Sequence, residues 1–311
     1  MVHLNNSIPA PNSLLSKAAM IGARCPQLFF IISAYLTWRS LSHHGLDVKT
    51  FWKKRFLKIA PLFYLAVVLA LLLPRPHFTS IPDFLSHILF LNGLNPVWTN
   101  SIMGVEWYIA DLALFYLLVP VLWKVIKDLR SAVIVLEGSI ILSIAFTVIT
   151  NQIVDMSVPA YEMYFHTFCI INQLPVLLMG IVAFYLVEKM KQESHTWRIL
   201  AGTGAVVAVF GAAFILLHLN KRVMTSSMIA GFAFTFLFLA CSQLKLTRGY
   251  LLQTIGRHSF GIYCFHQTVI NCVLLFVTDK INLLQWIVCY IGIAVLSFVI
   301  GWLGESLIDK R

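Results

Sequence analysis

Charge is what this 311-residue sequence has least of. Asp, Glu, Lys and Arg together make up 12% of it, about half the share of an ordinary soluble domain. Acidic residues are the scarcer sign, 13 against 23 Lys and Arg. Hydrophobic residues reach 59% and the mean hydropathy is +0.83, more apolar surface than a soluble core of this length can hide. A soluble globular enzyme is thereby excluded, and lipid must solvate most of the chain. Other shortages narrow the class further. The six cysteines (Cys25, Cys169, Cys241, Cys264, Cys272 and Cys289) show no C-x-x-C or comparable ligand spacing, so no metal centre is expected. Period-two alternation is missing from the apolar blocks, which argues against a transmembrane barrel. There is no convincing internal repeat and no low-complexity tract, and residues 1–24 lack the basic-then-apolar pattern of a cleavable signal peptide.

What the sequence does contain is a series of apolar blocks, at 25–42, 58–73, 107–123, 131–150, 169–188, 199–219, 223–241, 259–277 and 284–304. A helix needs about 20 residues to cross hydrocarbon. The expected fold is therefore all-α: a polytopic integral membrane helix bundle of nine spans, forming a single membrane domain over 1–311. The net charge of +10 would suggest nucleic acid in a soluble protein, but here the cations sit in alternate loops. Lys17, Arg24, Arg75, Lys221, Arg222 and Lys280 fall in one set of loops and the other seventeen Lys and Arg in the opposite set. By the positive-inside rule the richer set, with the C-terminus, is cytoplasmic and residues 1–24 are outside.

Residues 84–106 break the pattern. The apolar run there is too short to cross, Asn92, Gly93, Asn95 and Pro96 punctuate it, and the charge count puts both its ends outside. A short re-entrant or interfacial segment is expected, and irregular backbone at membrane depth is tolerated where it lines a cavity.

Polar residues inside a membrane are costly and mark functional positions. Glu106 stands at the outer mouth of the 107–123 helix, open to a plain solvated role, and Asp111 lies about a turn and a half deeper, where an acid needs a partner or a wet cavity. Lys54, Arg55 and Lys58 precede an apolar helix on the cytoplasmic side. They either anchor the helix at the headgroups or hold the phosphates of a cytosolic ligand, Arg55 and Lys58 sharing one face at i,i+3. His266 sits about two turns into its span with Tyr263 one turn back, as a helix-packing hydrogen bonder or a functional group. His3, near the terminus, carries no meaning by itself.

Four stretches, QLFFIISAYL (27–36), FWKKRFLKIAPLFYL (51–65), EWYIADLALFYLLVP (106–120) and IGRHSFGIYCFH (255–266), resemble in order and spacing the motifs of the membrane-bound acyltransferase family 3, the sugar and peptidoglycan O-acyltransferases. The resemblance implies ten helices, a donor such as acetyl-CoA used as co-substrate with no tightly bound cofactor, and a carbohydrate acceptor. It matches His3 to the family's catalytic histidine at the end of a first helix, with Arg about eleven residues upstream, so that the chain is expected to lack most of that helix. Glu106 or Asp111 would orient His3, and Lys54, Arg55 and Lys58 would hold the donor. Ser33, Tyr35, Trp107, Tyr263 and His266 would line the substrate channel. One departure stands out: the family's acid in the third motif falls at Leu112 here, and Asp111 is one residue early, about 100° round the helix.

The expected function is transfer of an acyl group, with acetyl the expected one, to a hydroxyl of an extracytoplasmic or lipid-linked carbohydrate, in a multi-pass cell-membrane protein of bacterial inner-membrane type. The partners are membrane lipid, acceptor and acyl-CoA, with no nucleic acid. The rivals are a transporter or exporter of a glycan or lipid-linked sugar, which should show repeat symmetry, and an inactive fragment of the acyltransferase fold.

Overall fold

A computed structural model describes residues 2–12, 15–17, 19, 22–73, 80–192, 199, 202–211, 226–243, 249–277 and 281–308. Among them there are helices and no strand: α1 (Val2–Ser7), α2 (Cys25–His44), α3 (Val48–Leu71), α4 (Ile81–Ile88), α5 (Trp107–Val125), α6 (Leu129–Ile153), α7 (Pro159–Met163), α8 (Ile170–Gln192), α9 (Gly202–Gly211), α10 (Ser226–Gln243), α11 (Tyr250–Arg257), α12 (Ser259–Val273) and α13 (Leu283–Ile308). This is the expected all-α membrane bundle. Five helical stretches are long and apolar enough to cross by themselves, and the other apolar blocks coincide with shorter or more charged helices. Part of the 199–219 block, and the topology markers Arg75, Arg198, Lys221, Arg222, Lys245, Arg248, Lys280, Lys310 and Arg311, lie outside the described residues.

The helix ends follow from local chemistry. Asp47 caps α3 by accepting from the Thr50 amide, and Asp128 and Ser131 form a reciprocal capping box at α6. Pro26 and Pro82 sit in the first turns of α2 and α4, where a missing N–H costs nothing. At the centre of the bundle is α8, packed on α2, α5, α6 and α10. The apolar part of the Pro159–Lys191 stretch, which contains nearly all of it, is 72% buried, whereas that of α13 is 17% buried, so α13 is the least buried of the five long apolar stretches. It grips the bundle through one close crossing. A Cβ built on Gly261 of α12 would lie 2.8 Å from the Gly301 Cα of α13, so both helices need glycine there. α1 is seated on this pair: Leu4 and Ile8 are buried with Val269, Ile270 and Trp286, and the Trp286 indole donates to the Ile8 carbonyl at 3.1 Å.

The 84–106 segment turns back within the helix bundle, and in that sense is re-entrant. Tyr116 of α5 lies against Phe51, and its carbonyl accepts from the Trp52 indole, so α3 and α5 run antiparallel and the segment joining them starts and finishes at one end of the bundle. Its tip nevertheless reaches far along α3. The Phe90 ring packs on Phe63, at 5.1 Å, and on Phe56, at 6.1 Å, and Phe56 lies about 22 Å from the Leu71 end of the helix. Phe90 takes a left-handed φ of 58° to turn the chain. Gly93 then fits against α5, where a Cβ would come within 2.8 Å of the Ala110 methyl. The backbone of the tip is satisfied by protein: Tyr64 donates to the Ile88 carbonyl and Tyr164 to that of Gly93.

Candidate active site

Two cavities open beside α3, and Arg55 lines both. The larger, about 440 Å³, lies between α3, α5 and the re-entrant tip and is walled almost entirely by apolar side chains. The smaller, about 220 Å³, lies between α2, α3, α5 and α12 and is the one with chemistry: Arg55, Lys58 and Arg257 line it together with Ser33, Tyr108 and Tyr263. Arg55 is held by the faces of Phe51 and Tyr116, 5.3 and 5.0 Å from the ring centres, which orients a guanidinium without neutralising it.

From this cavity a line of polar rings leads toward the N-terminal segment. Ser33 Oγ and the Tyr108 hydroxyl are 3.5 Å apart. The Tyr108 ring lies 4.8 Å from Tyr263, Tyr263 lies 5.5 Å from His266, and His266 lies 5.3 Å from His3. His266 Nδ1 sits 2.6 Å from the Tyr263 carbonyl. A carbonyl only accepts, so the neutral ring carries its proton on Nδ1 and keeps the Nε2 lone pair free to take one. A cationic mouth, a hydroxyl-lined throat and an imidazole pair thus follow one another.

The expected site residues divide. Ser33, Arg55, Lys58 and Tyr263 line the cavity, and His266 and His3 lie behind Tyr263 through ring contacts, outside the cavity wall. Lys54 is exposed on α3 and is not in the cavity wall. Tyr35 points the other way round α2, packed edge-on against Phe184 and Phe238. Trp107 stacks on Phe168 at 4.9 Å. Glu106, expected to orient His3, directs its carboxylate into the turn that precedes it. Its Oε1 accepts from the Ile102 and Met103 amides at 2.8 and 3.1 Å, its Oε2 from Val105 at 2.8 Å, and His87 Nε2 lies 3.1 Å from Oε1. Asp111 is fully buried on the side of α5 that faces Gly93, and neither oxygen has a hydrogen-bond partner among the described residues. The next residue, Leu112, lines the cavity instead. The 100° rotation read from the sequence thus takes the acid of this helix away from the cavity.

Two groups escaped the sequence reading. Arg257 counted there only as a loop cation. The signal was its place two residues before the Ser259 that begins α12, within the 255–266 motif. The other is Asp83 and His87, an i,i+4 acid–histidine pair, both fully buried beside Glu106. His87 Nδ1 faces the Asp83 carbonyl at 2.9 Å and Nε2 faces Glu106. Both neighbours only accept, so the ring is fully used only as an imidazolium. Burial opposes that charge, but the bonds and charges of Glu106 and Asp83 outweigh it, and the His87 pKa is raised above 6.5.

The chain is an all-helical membrane bundle with a cavity lined by cations and hydroxyls and a pair of histidines packed behind it. The chain matches the acyltransferase family 3 profile, described as an acyltransferase domain, over residues 1–303. It belongs to that family, and is a membrane acyltransferase. No curated protein and no solved structure shows significant similarity to it.

Proposed function

We propose that this protein moves an acetyl group from acetyl-CoA to a hydroxyl of an extracytoplasmic or lipid-linked carbohydrate, in the bacterial plasma membrane with its C-terminus in the cytoplasm. The observation that supports this reading is the 220 Å³ cavity with Arg55, Lys58 and Arg257 in its wall, two of whose lining rings, Tyr108 and Tyr263, begin a series of ring contacts that ends at His266 and His3. Arginine suits the role at the mouth, since its planar fork meets phosphate oxygens in pairs, and Lys58 adds a point charge. The CoA phosphates would rest on these cations with the thioester directed inward. His3, with His266 beside it, takes the proton of the acceptor hydroxyl as that oxygen bonds to the acyl carbon. The carbon–sulfur bond then breaks and the CoA thiolate leaves with the proton. In a second order of events the His3 imidazole carries the acyl group first and the acceptor removes it.

The test is to follow radiolabelled acetyl from acetyl-CoA into surface glycans of cells or vesicles with and without the protein. Loss of one ester names the acceptor. A His3→Ala variant should lose transfer while still folding in detergent; full transfer by that variant would remove His3 from the reaction.

A further inference from the structure

The cluster of Asp83, His87 and Glu106 has no part in the reaction drawn above, yet each of its side chains is hydrogen-bonded within the protein. All three side chains are 0% exposed. Ser101 Oγ donates to Asp83 Oδ1 at 2.9 Å, just ahead of the turn whose amides meet Glu106. His87 bridges the two acids. Glu106 closes the turn 102–105 around its own carboxylate, a nest of backbone N–H groups folded on an anion, with Gly104 at φ +86° making the bend. Such a cluster is costly to bury, and fixing a geometry is one use that offsets the cost.

That geometry reaches the cavity through one bond. The Val105 N–H is fixed by Glu106 at 2.8 Å, and the Val105 carbonyl, on the other side of the same residue, accepts from the Tyr263 hydroxyl. Tyr263 lines the cavity, and its own carbonyl holds His266. We propose that Asp83, His87 and Glu106 are positioning residues: through the 102–105 turn and the Val105 carbonyl they aim the Tyr263 hydroxyl in the reaction path. The re-entrant segment is then part of the site's machinery, although none of the three acts on substrate.

This inference rests on the cavity being the acyl path, and the experiments separate the two. In a double-mutant cycle, Tyr263→Phe removes the hydroxyl and Glu106→Gln removes the charge that closes the turn. With positioning as proposed, each single variant lowers kcat on the order of 10- to 100-fold with little change in the KM for acetyl-CoA, and the double variant is no worse than Tyr263→Phe. Losses that multiply would overturn the proposal. Ser101→Ala, a gentler change that removes one bond to Asp83, should give a smaller kcat loss that disappears in the Tyr263→Phe background. A loss that persists there also overturns it. The second readout needs no activity. In protein labelled with 3-fluorotyrosine, the Tyr263 resonance is assigned by its absence in Tyr263→Phe. It should shift in Glu106→Gln and Ser101→Ala while the other tyrosine signals hold. An unmoved Tyr263 signal rejects positioning, whereas a protein that never transfers acetyl but shows the shift rejects only the acyltransferase reading of the cavity.

Discussion

Glu106 and Asp111 stand five residues apart at the head of one helix, both acids, both with no exposed surface. Their surroundings are opposite. Glu106 is met by backbone N–H groups on both oxygens and by His87; Asp111 has no hydrogen bond to either oxygen among the described residues. Burial by itself therefore says little about role. What distinguishes them is the polar complement that the chain has arranged: a turn folded round Glu106, and for Asp111 only the close-packed wall of Gly93 and Ala110 nearby. An acid with a built cradle holds structure. An acid without one is an expense that packing must offset.

The largest effect should come from breaking the cradle. Glu106→Ala leaves the 102, 103 and 105 amides and the Nε2 of His87 without their partner in the interior, a loss of about 3–5 kcal/mol, read as a fall in thermal midpoint of the detergent-solubilised protein. Asp111→Asn, nearly isosteric and removing no hydrogen bond, should change the same midpoint by less than about 1 kcal/mol equivalent. Equal losses for the two variants would erase the contrast.

The next effect belongs to the re-entrant tip. Gly93→Val puts atoms where a Cβ already comes 2.8 Å from Ala110, and should cost about 1–3 kcal/mol by lifting the tip from α5. Proteolytic nicking within 84–106 would report it.

A smaller effect separates the cavity's cations from the surface ones. Arg257→Ala and Arg55→Ala should each raise the KM for acetyl-CoA by about tenfold or more, as expected for one charge-assisted hydrogen bond. Lys54→Ala should leave it unchanged, since Lys54 is outside the cavity wall. A KM effect at Lys54 equal to that at Arg257 would mean that the donor lies along the surface of α3.

The smallest effect is the pH dependence from His87. Its folded pKa is raised by Glu106 and Asp83 against the opposing effect of burial. Its contribution is therefore present in full below the ordinary histidine value and fades as pH rises through the raised one. Thermal stability should decline as pH rises from the ordinary histidine value through the raised one, and His87→Gln should flatten that decline while lowering stability at pH 6. A steeper alkaline loss in the variant would contradict the charged bridge.

Much of the architecture was readable without coordinates because membrane insertion depends on local length and apolarity. The 131–150 and 284–304 blocks became α6 and α13 on that ground alone, and the shortness of 84–106 with its Asn, Gly and Pro marked a segment that turns back. The candidate site was readable only in part. Arg55 and Lys58 share a face three residues apart, and helical periodicity brings both to the cavity. His87 is invisible as a partner of Glu106 because nineteen positions and a chain reversal separate them. Tyr35 looked equivalent to Ser33, yet two residues along a helix is about 200° of rotation, and only the neighbours decide which face is inside.

The sequence by itself thus determined that this chain is a helical membrane protein, where most of its helices fall, and which motifs make it an acyltransferase, because each of these depends on residues near one another along the chain. Tertiary structure alone decided what each polar group does. It set His3 beside His266, turned Leu112 rather than Asp111 to the cavity, brought Arg257 to Arg55, and folded a turn around Glu106. Those outcomes depend on helix rotation and on which helix lies alongside, and in a bundle where nearly every face is apolar the local pattern carries almost no record of either.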